Sequence, residues 1–358
     1  MAGNSIGVVF SVVTWGESHG PAVGAVVDGC PPGIELAESD IQIELDRRRP
    51  GQIPSASARQ EKDQVKILSG VFAGRTTGTP ISLLINNTDA RSGDYEQIKD
   101  LFRPGHGDYS YFRKYGIRDY RGGGRASSRE TASRVAAGAI AAKVIARAGM
   151  EVVAYTRALG GIEIRYGWED LLGLNRVELA QNQLLCPDPE AAQKMEERLS
   201  TARKAGDSLG GIVEIIVRGC PAGLGEPVFD KMDADLAKAL MSIGSIKGVE
   251  IGDGFRVAEK TGSANNDALA VDGFRSNHAG GILAGITSGQ PLVMRVASKP
   301  IPSIGQVQQT IDTSGQAREL IVRGRHDVAT IPRIVPVCEA MVNMVLADHL
   351  LRQKAIGG

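Results

Sequence analysis

The sequence predicts an α+β fold in a single domain, 1–358, whose two halves are related and intertwined. Three observations carry this. Strand-like and helix-like segments both occur along the chain, and no low-complexity linker divides it. One turn sequence also occurs twice. Val26-Val27-Asp28-Gly29-Cys30-Pro31-Pro32-Gly33 and Ile216-Val217-Arg218-Gly219-Cys220-Pro221-Ala222-Gly223 both read as a strand, a Gly-Cys-Pro-x-Gly turn and then a helix. The repeat suggests an internal duplication, with halves of about 1–205 and 206–358 packed around one site.

The elements follow in order. Ile6 to Val13 and Ala22 to Val27 read as strands separated by a glycine-containing turn. Ser39-Asp40-Ile41-Gln42 has the capping-box pattern and opens a short helix to Arg49, stopped by Pro50-Gly51. Gln64 to Leu68 and Ile81 to Ile85 are further strands. Ser127-Ser128-Arg129-Glu130 is a second capping box, opening a long Ala-rich helix to about Ala148 that Gly149 closes. Strands at Val152 to Thr156, Ile212 to Val217 and Leu292 to Val296 complete the β content. Helices are expected at Pro189 to Ala205, Asp233 to Ser242 and Pro336 to Lys354.

Composition excludes several classes of protein. The longest apolar runs, such as Val135 to Ala142, are too short to span a bilayer. Met1 to Phe10 lacks the basic and apolar segments of a secretory signal. No membrane partner is therefore expected, and the expected location is cytoplasmic. Cys30, Cys186, Cys220 and Cys338 form no CxxC pair and read as reduced thiols. The 41 basic and 41 acidic residues cancel, which argues against nucleic-acid binding.

The charge is unevenly placed. Eight basic residues lie between Arg103 and Arg134, opposed by three acidic ones, and seven of the eight are arginine. Arginine grips carboxylate and phosphate bidentately, so the cluster points to a small anionic ligand. Within it, Arg121-Gly122-Gly123-Gly124-Arg125-Ala126-Ser127 leads into a helix start. Glycines let backbone approach a ligand, and a helix N-terminus attracts anions. A solvated loop with an ordinary serine cap is the plainer reading. The spacing is neither a Walker A loop nor a dinucleotide fingerprint. Arg47-Arg48-Arg49 closes its helix, which suits the dipole and also places arginines near a cleft. Four of the five histidines, His19, His106, His278 and His326, sit in glycine-rich or charged loops; a lone loop histidine is usually a polar surface group, and the two flanked by glycines beside the arginine-rich segment are the better acid–base candidates. His349 sits in an apolar helix and reads as structural. No HxxxH or HxH pair offers a metal site.

Three regions together resemble the chorismate synthase family nearly end to end. They are Gly16-Glu17-Ser18-His19-Gly20 with the first Gly-Cys-Pro turn; Phe102-Arg103-Pro104-Gly105-His106 through to Thr131; and Gly324-Arg325-His326-Asp327 with Glu339-Ala340. Gly248-Val249-Glu250-Ile251-Gly252 and Ser276-Asn277-His278-Ala279-Gly280-Gly281 match as well. The resemblance implies a β-α-β sandwich with helices packed between antiparallel sheets. It implies an anti 1,4-elimination of phosphate and a C6 proton from 5-enolpyruvylshikimate-3-phosphate, giving chorismate. The cofactor implied is reduced FMN, with no net redox change; NADPH enters only through an external flavin reductant. A homotetramer is also implied.

Residue by residue, His106 resembles the histidine that protonates the reduced flavin or steadies its anion. His19 resembles the acid that assists departing phosphate, with Ser18 and Ser127 in a proton relay, and Asp327 the group that takes a proton at flavin N5. Arg48, Arg49, Arg59, Arg129 and Arg134 align with substrate or phosphate binders. Arg125, Ala126, Ser127, Gly244, Ser245, Ala284 and Arg325 align with flavin contacts, as does the loop Lys299, Pro300, Ile301, Pro302, Ser303. The chain departs from the family in places. An arginine usual after Arg48 is absent near Pro54, so that either Arg59 substitutes for it or affinity differs. A Lys-Pro-Thr-Ser-Ser loop loses hydroxyls at Ile301 and Pro302, a usual Asn-Ala pair is Gly244-Ser245, and Ser128 replaces a small residue.

Overall fold

Strand segments that bury one face need a partner layer, and here two sheets share one. The structure, a computed structural model, describes residues 3–49, 62–88, 92–322 and 327–357. The first sheet holds β1 (Ser5–Ile6), β2 (Ser11–Gly16), β3 (Ala22–Asp28), β4 (Val65–Ile67) and β5 (Ile81–Asn86), in the order β1-β2-β3-β5-β4. The second holds β6 (Glu151–Leu159), β7 (Ile162–Glu163), β8 (Gly211–Arg218), β9 (Ile246–Ile251) and β10 (Leu292–Ser298), in the order β9-β10-β8-β6-β7. Pairing within both is antiparallel. Along β5, Ile81, Leu83 and Ile85 are fully buried while Ser82 and Leu84 are less so, the period of two that a half-covered strand requires.

The helices of eight residues or more are α1 (Glu38–Arg48), α2 (Asp108–Tyr115), α3 (Thr131–Ala146), α4 (Pro189–Lys204), α5 (Met232–Met241) and α6 (Ile331–Ala355). Of these, α1, α3, α5 and α6 pack on one another and against the sheets, giving the β-α-β sandwich. Both α3 and α6 are buried on nearly every side, as a helix apolar all round must be. By length and composition α6 is apolar enough to cross a membrane, yet 94% of that window is buried inside the protein, so it is the core helix. Gly138 lets the two helices touch: a Cβ there would lie 2.3 Å from Ala340 Cβ and 2.5 Å from its Cα. Gly138→Ala is expected to destabilise the chain by about 1–3 kcal/mol through overpacking, measured as a lowered denaturant midpoint with unchanged slope. An unchanged midpoint would show the crossing to be loose.

Several boundaries differ from expectation. Residues 151–163 join the second sheet, so the sheets divide after α3 and not near residue 205. The expected strand Ile6 to Val13 is broken by a turn, because Asp348 Oδ1 on α6 accepts the N–H groups of Val8, Val9 and Phe10 at 3.0, 2.6 and 2.9 Å. Ala37, not Ser39, is the N-cap of α1, and the Asp40 carboxylate accepts the Ala37 N–H at 2.8 Å. Ser127 caps a 3-10 turn, Ser128–Glu130, that runs into α3. Helix α6 starts at Ile331 and carries Pro336 inside it; burial on all sides outweighs the one N–H bond proline cannot make.

The two repeated turns have matching bonds. Thr76 Oγ1 donates to Pro31 O at 2.7 Å and accepts the Ile34 N–H at 3.0 Å. Thr287 Oγ1 donates to Pro221 O at 2.7 Å and accepts the Leu224 N–H at 2.9 Å. Cys30 and Cys220 sit in those turns, where burial pushes both thiols up to about 11.

Candidate active site

A cleft of about 690 Å³ opens where loops of both sheets meet the starts of α3 and α6. Sites for small molecules run from about 300 to 1,000 Å³. Seven cationic side chains line it: Arg48, Arg103, Arg125, Arg129, Arg134, Lys299 and Arg333. Glu130 and Asp327 are the acidic lining residues among those described. The balance is strongly positive in a chain of zero net charge.

Two of the arginines are held by one buried carboxylate. Asp63 Oδ2 accepts from Arg48 Nη1 at 2.8 Å, and Asp63 Oδ1 accepts from Arg129 Nη1. Arg48 also donates through Nε to Thr131 Oγ1 at 3.1 Å, and Arg129 through Nε to Asn87 Oδ1 at 2.7 Å. Arg48, Arg129 and Asp63 are 2%, 3% and 2% exposed. Burial opposes ionisation of Asp63, but the Arg48 and Arg129 charges outweigh it and hold its carboxyl below the usual range. Burial also draws the Arg48 guanidinium down to about 10, still protonated at neutral pH. A guanidinium carries five N–H donors, and among the described residues the protein takes only part of each set. Arg134 donates to Glu130 at 2.9 Å and to Ser242 Oγ at 2.6 Å, tying α3 to the 242–245 loop.

The glycine loop holds the histidines. A Cβ at Gly122 (φ +66°) would lie 2.4 Å from His19 Cε1, and one at Gly123 (φ +99°) 2.7 Å from His106 Cε1. Neighbouring glycines thus each take one imidazole ring, a close approach no other residue permits. His19 Nδ1 lies 3.1 Å from the buried Ser18 hydroxyl, with the Tyr95 ring edge-on to it, and neither His19 nor Ser18 is a lining residue of the cleft. His106 lines the cleft, with Nδ1 2.9 Å from Asp108 Oδ1.

Other expected residues divide into those the cleft gathers and those it does not. Ala126, Ser127, Gly244, Ser245, Ile301, Pro302 and Ser303 line it. Lys299 Nζ donates to Gly105 O, joining the 299–303 loop to the His106 loop. The Arg125 guanidinium is turned toward β2, donating to Thr14 O, Thr14 Oγ1 and Gly16 O at 3.1, 2.8 and 3.1 Å. Ser127 Oγ accepts the Arg129 N–H at 3.3 Å, the cap that a plain reading required. Asp327 pairs with Arg333. Pro300 packs beside Gly210 and is not a lining residue. Arg49 pairs with Asp46 at 3.5 Å outside the lining. Ala284 sits in an exposed hairpin turn, also outside it. Arg59, Arg325, His326 and Pro54 lie outside the described residues. His278 bonds Asn265 O at 3.0 Å and lies 3.1 Å from Asp267, pinning a loop of the second half. His349 is buried against Asp235, a structural role.

Asp63, Asp108 and Arg333 are not among the expected site residues, and Arg103 is expected only as a member of the arginine cluster. Asp108 has a local signal, two residues after His106. Asp63 has none, being 15 residues from Arg48 and 66 from Arg129.

Residues 10–351 match the family model described as chorismate synthase. A chorismate synthase of Syntrophus aciditrophicus (strain SB) is 65% identical over 356 residues, covering 99% of both chains. One of Desulfatibacillum aliphaticivorans is 59% identical over 356 residues, covering 99% of this chain and 98% of its own. A solved structure, "Crystal Structure of Chorismate Synthase", superposes with a TM-score of 0.75 at 32% identity, covering 99% of this chain and 94% of that one.

Proposed function

The chain belongs to the chorismate synthase family, flavin-dependent lyases of the shikimate pathway, and from that premise we propose how its residues divide the work. The reaction removes phosphate and a C6 proton from 5-enolpyruvylshikimate-3-phosphate in an anti 1,4-elimination. The cofactor is reduced FMN. When bound, it supplies transient electron donation and a proton-accepting nitrogen, so no net redox change results.

The cleft residues fit two phosphorylated ligands, and the excess of seven cations over two carboxylates carries the proposal. Arg48, Arg129 and Arg134 hold the substrate's anionic groups through the donors their protein partners leave over. The backbone of Arg125 to Ser127, with Gly244, Ser245 and the 299–303 loop, forms the flavin side. Support comes from Gly105 (φ +69°), where an added Cβ would lie 3.3 Å from Pro302 and narrow the wall. Arg59 and Arg325 are assigned to substrate and flavin by their alignment with the family's binders alone. His19, hydrogen-bonded to Ser18, protonates the departing phosphate. His106 is the acid–base group on the other side of the glycine loop. Asp327, paired with Arg333, accepts a proton at the cleft wall.

The wider assignments rest on the family. Reduced flavin comes from an external reductant, since the chain has no dinucleotide fingerprint, and NADPH acts only through that reductant. The enzyme is a cytoplasmic homotetramer; exposed Phe229, Phe255 and Val271 support buried faces between copies. The matching Thr76 and Thr287 turns support descent of the two halves from one ancestor.

Anaerobic incubation with the substrate and chemically reduced FMN tests the reaction. Chorismate and inorganic phosphate are expected in equal amounts. Substrate left intact while FMN is bound overturns the proposal, and chorismate formed with oxidised FMN and no reductant removes the flavin's role.

A further inference from the structure

His106 does not stand alone. Its Nδ1 lies 2.9 Å from Asp108 Oδ1 and 3.2 Å from Arg103 Nη2. Arg103 has other claims on its protons: Nη2 donates to Asp108 Oδ1 at 2.9 Å, Nε to Asp108 Oδ2 at 2.7 Å, and its backbone N–H to Oδ2 at 3.2 Å. Arg118 Nη1 approaches Asp108 Oδ1 at 3.3 Å from behind. The side chains of Asp108, Arg103 and Arg118 are 3%, 4% and 7% exposed. Burial opposes the charge on Asp108, and the hydrogen bonds from Arg103 and His106 more than offset it, holding the carboxyl well below its usual range.

These contacts decide which nitrogen carries the proton. A bare Nδ1 lone pair would face an ionised carboxylate across 2.9 Å, whereas the second proton of Arg103 Nη2 could reach Nδ1 only over the longer 3.2 Å contact, its partner proton bonding that carboxylate at 2.9 Å. Nδ1 therefore carries hydrogen and donates to Asp108. Nε2, against Gly123, is then the nitrogen that exchanges protons with the site.

We propose that Asp108, clamped by Arg103 and Arg118, is a positioning residue that fixes His106 in its Nδ1–H tautomer and so prepares Nε2 for proton transfer. Carboxylates orient imidazoles in this way at other acid–base sites. The sequence bears on it simply: Arg103, His106 and Asp108 lie within six residues, and Asp108 is the first residue of α2, so the clamp and the helix start are one feature. Asp108 also secures the loop, and the test must separate the two roles. The inference rests on the reading of His106 as an acid–base group.

The test is Asp108→Asn, with Asp108→Glu as the variant that keeps a carboxylate. Nitrogen-15 NMR of histidine-labelled chain without ligands, with His106 assigned through His106→Gln, reads the tautomer directly. The native chain is expected to show Nδ1–H as the neutral form. Asp108→Asn is expected to admit the Nε2–H form and to lower kcat about 10–100-fold, with KM moving less than about threefold. Asp108→Glu is expected to keep Nδ1–H and more of the activity, which loss of loop packing alone would not predict. A folded Asp108→Asn chain with the native tautomer and native kcat overturns the proposal. So does an Asp108→Glu chain no better than Asp108→Asn in both readouts. A native chain that forms no chorismate overturns the family reaction instead, and leaves the tautomer result standing.

Discussion

Asp63→Ala is expected to lower the unfolding free energy by about 3–5 kcal/mol, the loss typical when one partner leaves a buried ion pair. Two guanidiniums, Arg48 and Arg129, share this carboxylate, and all three side chains are almost completely buried. Removing it leaves two like charges facing each other without an anion between them. Chemical denaturation, with coincident transitions by fluorescence and circular dichroism, measures the effect. A loss below about 1 kcal/mol would show that water reaches the pair as it reaches a surface ion pair. The pH dependence has a definite sign. The folded pKa of Asp63 lies below its unfolded value of about 3.9. Its contribution is therefore complete above that value and is lost as the pH falls toward the folded pKa. Asp63→Ala should show a shallower acid-side loss of stability than the native chain. Because both arginines line the cleft, the variant should also bind substrate more weakly.

His106→Ala is expected to lower kcat about 10²–10⁴-fold, the range for loss of a positioned acid–base group, with KM changing less than about threefold. The ring lies at the cleft wall, and its hydrogen-bond partners are Asp108 and Arg103 rather than an anion-binding arginine such as Arg48. Its loss should spare ground-state binding and act on the chemical steps. Asp327→Ala should also lower kcat far more than it raises KM, through loss of the proton acceptor. Anaerobic steady-state kinetics at saturating reduced FMN decide it. A raised KM at unchanged kcat would make His106 a binding residue only.

The fate of particular residues shows what could be read locally. The strands at Ala22–Asp28, Ile81–Asn86 and Gly211–Arg218 were legible because alternation and turn residues act within a few positions. The repeated turn was legible for the same reason, and so was the arginine-rich loop. Helix boundaries shifted where a distant group decided them. Asp348 broke the first strand from more than 330 residues away, and core burial carried α6 through Pro336. Glycine loop chemistry was read as backbone approach to a ligand, whereas Gly122 and Gly123 make room for His19 and His106.

By itself, then, the sequence determined the α+β class, most of the elements, the arginine-rich character of the site and the family. Each of these is written in neighbouring residues or in ordered motifs. Tertiary structure alone decided which arginines are caged by Asp63, that Arg125 serves β2, and that Pro300, Arg49 and Ala284 stand outside the cleft lining. It also decided that the sheets divide after α3. The physical reason is that a side chain's partner is set by where packing places other segments, and neither Asp63 nor the residues it holds carry any local mark of the contact.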